Sequence, residues 1–185
     1  MAKGYLLILI GAVLSTTLLI PLPPALMQIW GRLTFLGYLI ITFGLRGING
    51  SAKELQSARF FLLTTLLIQI ATPWLPQLFG GSLHVRFLLA MTQIFFMIGI
   101  FFWLFKSEYM WSPRGDKRLD LLIYSGVSVL YFVVYALFLS PMIGISFPGL
   151  DRLTLLRVFQ FFNIFYYVVL WFTLAKLYME ARRES

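Results

Sequence analysis

Uncharged hydrogen-bonding side chains recur at helical spacing inside otherwise apolar stretches of this chain. Tyr124, Ser128, Tyr131 and Tyr135 fall three or four residues apart and share one helix face. Gln160, Asn163, Tyr167 and Trp171 repeat the pattern, Thr65, Gln69 and Thr72 form a third set, and Gln93 adds one amide. Phenols, amides and hydroxyls bind by hydrogen bonding and provide neither a strong base nor a metal-ligand set. In lipid each such group needs a partner. The spacing supports two uses. One is hydrogen bonding between helices, the ordinary use in membrane bundles. The other is a polar cavity for an uncharged or zwitterionic small molecule or a lipid headgroup, lined by Gln69, Gln93, Tyr124, Ser128, Tyr131, Tyr135, Gln160, Asn163 and Tyr167.

Other chemistries are restricted by what the chain lacks. Without cysteine there is no thiolate nucleophile, disulfide or Cys-ligated metal. A single histidine, His84, excludes a bis-histidine haem and reads as a loop or interfacial residue. No Asp, Glu or Lys interrupts the core of an apolar stretch, where proton relays are usually built, so a proton-driven pump is disfavoured. Ser125 and His84 suggest a hydrolase dyad by type, but the topology below puts them on opposite sides of a hydrocarbon core about 30 Å thick. No catalytic residue, cofactor or metal is expected.

The elements that position these groups are apolar and long. Of 185 residues, 60% are hydrophobic and 12% charged, too few charges to clothe a soluble domain. About 20 helical residues cross a bilayer, and six stretches have that character: 5–22, 26–45, 60–79, 87–105, 121–145 and 158–175. The first follows Lys3 and reads as an uncleaved span rather than a signal peptide, because no small-residue cleavage site precedes Pro21, Pro23 and Pro24. The second has a clean core only over Leu33–Leu45, with Arg32 snorkelling outward. A count of five follows if the first two are one broken span. Asn49-Gly50 marks a turn, and residues 51–59 suit a short surface helix. Pro73 and Pro76 should break the third span, and Pro141 should bend the fifth. The two halves do not place their prolines at corresponding positions, which speaks against an inverted-repeat transporter.

The basic residues then fall into two groups. Lys3, Arg46, Lys53, Arg59, Lys106, Arg114, Lys117, Arg118, Lys176, Arg182 and Arg183 lie on one side, and Arg32, Arg86, Arg152 and Arg157 on the other. The positive-inside rule puts the larger group, and both termini, in the cytoplasm. The net charge of +8 is thus read as topology and headgroup anchoring, not nucleic-acid binding. Arg114, Lys117 and Arg118, in the most polar loop, are candidate contacts for a cytoplasmic partner or anionic lipid. Gly4, Gly11 and Ser15, with Gly37 and Gly44, favour close helix approach between the first two spans or with a second protein.

The expectation is an all-α polytopic bundle of six transmembrane helices in the plasma membrane. It is non-catalytic, an accessory or regulatory subunit acting beside a membrane or cytoplasmic partner. The alternative is a small-solute or lipid-binding transporter with an uncharged polar cavity.

Overall fold

The computed structural model describes residues 1–16, 24–48, 53–111, 115–146, 149 and 151–184, with side chains apart from those of residues 24–31, 76, 111, 115 and 116. All regular structure among the described residues is helical: α1 (Ala2–Ser15), α2 (Pro24–Arg46), α3 (Lys53–Ala71), the short α4 (Leu75–Leu78), α5 (Leu83–Trp111), α6 (Gly115–Leu139) and α7 (Arg152–Arg183). Among the described residues three segments are long and apolar enough to cross a membrane: Leu83–Met110, Lys117–Ile143 and Arg152–Arg183. The fourteen residues of α1 reach only about 21 Å at 1.5 Å per residue.

The helix ends differ from the apolar boundaries for local reasons. α1 closes at Thr16, whose backbone is extended, short of the span expected to Leu22. The remainder of that stretch, like the Asn49-Gly50 turn, lies outside the described residues. Residues 53–59 are the first turns of α3 rather than a separate surface helix, since nothing in Lys-Glu-Leu-Gln-Ser-Ala-Arg interrupts a helical ladder. The third stretch ends as a helix at Ala71, just before Pro73, and resumes only for the single turn of α4. α6 ends at Leu139, and the 3₁₀ turn Ser140–Ile143 carries Pro141. α5, α6 and α7 each run beyond their apolar cores into charged turns.

Backbone contact joins α1 to α2. A Cβ placed on Gly11 would stand 2.5 Å from the Gly37 carbonyl oxygen, and one on Gly4 would stand 2.9 Å from that of Gly44. The pairs Gly4–Gly44 and Gly11–Gly37 have the same residue-number sum, as antiparallel helices require. Only glycine permits this approach, and dispersion contact between the helices rises accordingly. A second glycine contact fixes α3 on α5, where the Phe61 ring occupies the space a Cβ on Gly99 would need.

Aromatic residues sort by polarity. Six of the nine tyrosines are buried, whereas Phe43, Phe60, Phe79, Phe95, Phe161, Phe165 and Phe172 are exposed. A phenol needs a hydrogen-bond partner, and Tyr5, Tyr124, Tyr131, Tyr166 and Tyr167 find one inside, while a phenyl ring is compatible with lipid outside. The interior so formed lies chiefly among α5, α6 and α7, with α1 packed on α7.

Candidate functional site

Two of the three polar sets meet. The Tyr131 hydroxyl on α6 donates to Asn163 Oδ1 on α7 at 2.9 Å, and both residues are 1% exposed. One layer away the Tyr124 and Tyr166 hydroxyls are 2.8 Å apart, and Tyr124 also donates to the Ile98 carbonyl of α5 at 3.2 Å. The rings of Tyr131 and Tyr166 stack with centroids 4.5 Å apart, so the two hydrogen-bonded layers are continuous. Tyr167 points its hydroxyl at Met97 Sδ, 3.9 Å away. Tyr135 is half-buried, tilted against Tyr131 and Phe159, and Ser128 is buried one turn from Tyr124. Gln160 is half-buried on the same helix as Asn163.

The third set does not join them. α3 packs against α5 and α2, and its polar side chains stand apart from the α6–α7 seam. Thr65 and Thr72 return their hydroxyls to the carbonyls of Phe61 and Ile68. Gln69 Oε1 is buried without a hydrogen-bond partner among the described residues, and Gln93 is half-buried on α5. Spacing within one helix reports a shared face but not which helix that face meets.

Charge concentrates at the end where α1 and α3 begin and α2, α5 and α7 finish. Lys117 at the start of α6 lies 3.3 Å from Glu180 on α7 and 3.7 Å from Glu108 on α5. Tyr5 of α1 donates its hydroxyl to the same Glu108. Lys176 pairs with Asp120 at 2.7 Å. Four helices are therefore clamped by groups that ordinary loop reading treats as solvated. Arg59 caps α2 by donating from Nη2 to the Leu45 carbonyl at 2.9 Å and the Ile48 carbonyl at 3.5 Å. Lys106 lies 4.7 Å above the Trp103 ring.

Of the three basic residues expected to meet a partner, Lys117 is committed to this clamp, its side chain 13% exposed. Arg118 is exposed, as are Arg46, Lys53 and Arg183. Arg114 lies outside the described residues. At the opposite end Arg86, Arg152 and Arg157 are exposed, and Asp151 caps α7 by accepting from the Thr154 amide at 3.0 Å. The hydrogen bonds from Thr154 hold the Asp151 carboxyl below its ordinary value of 3.8.

No hydrolytic dyad forms between Ser125 and His84. The Ser125 hydroxyl donates to the Leu121 carbonyl at 2.6 Å. Tyr124 is level with Ile98, fourteen residues along α5 from His84, which separates the two by about 21 Å along the axis. Among the described residues no three His, Asp or Glu side chains gather as a metal site.

Sequence reading did not single out Tyr5, Tyr166 or Glu180, and it placed Glu108, Asp120 and Lys176 at the ends of apolar stretches without pairing them. The available signal was depth: these acids and bases sit at matching distances from the ends of their apolar stretches. No family model, no curated protein and no solved structure matches this chain.

Proposed function

We propose that this chain is a non-catalytic, multi-pass protein of the cell membrane, with six crossings and both termini in the cytoplasm. It acts as an accessory or regulatory subunit that binds through its basic end. The observation that carries the reading is the disposition of its charges and polar groups. The seam residues Tyr124, Tyr131, Asn163 and Tyr166 satisfy one another, and Glu108, Asp120 and Glu180 are paired within the fold. Exposed positive charge at Arg46, Lys53, Arg118 and Arg183 then outweighs exposed negative charge on that face. A strongly basic rim at the membrane surface favours acidic protein segments and anionic headgroups.

The transporter alternative needs the seam to open. Stacked rings 4.5 Å apart and phenols already hydrogen-bonded leave no vacant donor at Tyr131 or Tyr124, which favours the adhesive use of these groups. Isolation of the tagged protein from its native membrane in mild detergent tests the subunit reading. A stoichiometric protein partner, lost on Arg118→Gln with Arg183→Gln, is the expected result. Isolation of the chain alone would contradict it.

A further inference from the structure

A groove of about 230 Å³ lies between α2 and α3. Arg46 and Arg59 line it together with Leu45, Leu62, Leu63 and Leu66, and its surface is mainly apolar. No carboxylate is among the described residues that line it. Arg59 uses only Nη2 on the Leu45 and Ile48 carbonyls, and its Nε is buried without a hydrogen-bond partner among the described residues. Arg46, in the last turn of α2, is exposed.

The order of these residues along α3 has a direction. Leu62, Leu63 and Leu66 follow Arg59 by three, four and seven residues, so the apolar wall extends about 10 Å from the guanidinium group. It leads away from the basic rim and into the uncharged stretch of α3. A small soluble anion would engage the arginines and leave that wall unused. A neutral acyl chain would cover the wall and leave two guanidinium groups without a counter-charge. One molecule satisfies both halves.

We infer that the groove binds an anionic phospholipid of the bilayer, its phosphate held by Arg46 and Arg59 and the first part of an acyl chain lying along the leucine wall. The site shares Arg46 with the basic surface assigned to a partner protein, but its leucine wall and Arg59 lie outside that surface, and its occupancy does not depend on that assignment. Its place at the junction of charged and apolar surface is the depth at which lipid phosphates lie.

The test uses the full chain, delipidated in detergent and examined by native mass spectrometry. It is titrated with phosphatidylglycerol, with phosphatidylcholine of the same acyl chains, and with inorganic phosphate. One phosphatidylglycerol should bind in preference to phosphatidylcholine. Arg46→Gln should weaken that binding by roughly tenfold, the size of one charge-assisted contact. Thr42→Phe, which fills the groove beside Leu45 and leaves both arginines, should weaken it as well. Circular dichroism verifies that each variant stays folded, and Arg59 is left intact because it also caps α2. Equal binding of the two lipids, or unchanged phosphatidylglycerol binding in both variants, overturns the inference. Saturable binding of phosphate that competes with the lipid overturns it in favour of a soluble anion.

Discussion

The hydroxyl of Tyr131 donates to Asn163 Oδ1 at 2.9 Å across the seam between α6 and α7, with both side chains removed from the surroundings. Such a bond between membrane helices stabilises by about 0.5–2 kcal/mol. A double-mutant cycle of Tyr131→Phe and Asn163→Leu should return a coupling in that range, measured by reversible unfolding in mixed micelles. Additive effects would show that the two groups act separately.

The glycine pairs of α1 and α2 make a sharper structural prediction. Gly11→Ala and Gly37→Ala each push a methyl group onto opposing backbone and should cost about 1–3 kcal/mol. Gly126→Ala is the control, since none of the described residues comes within 4 Å of the added carbon and the gain in helix propensity is up to about 1 kcal/mol. Thermal stability of the purified variants should therefore move in opposite directions.

Removing the ammonium of Lys117 leaves Glu108 and Glu180 facing each other with like charge. Lys117→Met should destabilise the bundle by about 1–2 kcal/mol, a figure reduced for partial exposure. Adding Glu108→Gln to that variant should recover part of the loss, because one of the two carboxylates is neutralised. Failure of the second substitution to restore stability would show that Lys117 acts by packing alone.

Asp151 links the start of α7 to pH. Its folded-state carboxyl titrates below the ordinary 3.8, so its contribution is present above that value and is lost as pH falls through the lower folded-state one. Hydrogen exchange at the first amides of α7 should be constant through neutral and mildly acidic pH, once corrected for intrinsic rates, and should rise only below pH 3.8. Asp151→Asn retains an acceptor for Thr154 and should abolish the pH dependence. An Asp151→Asn profile that still bends in acid would place the effect elsewhere.

Much of the architecture was legible because hydropathy and proline act locally. The apolar runs mark the long helices α5, α6 and α7, Pro73 follows the end of α3, and the glycine spacings anticipate contact between the first two helices. Tyr131 and Asn163 were visible as members of two stripes, since a helix face follows from sequence period alone. That these stripes meet, and that the stripe containing Gln69 does not join them, depends on which helices pack together. Periodicity carries no information about that choice. Lys117 was read from its charged loop neighbours, whereas its ion-pair partners Glu108 and Glu180 lie on α5 and α7.

The most direct measurement is site-specific photo-crosslinking in the native membrane. A photoreactive residue at the exposed position Arg118 probes the basic end, and one at Phe161, exposed on α7, serves as the lipid-facing comparison. One discrete protein adduct is expected from position 118 and none from position 161, with the adduct from 118 lost when Lys53 and Arg183, which lie outside the lipid groove, are changed to Gln. No protein adduct at position 118, or one unaffected by those changes, would contradict a function exercised through the basic end.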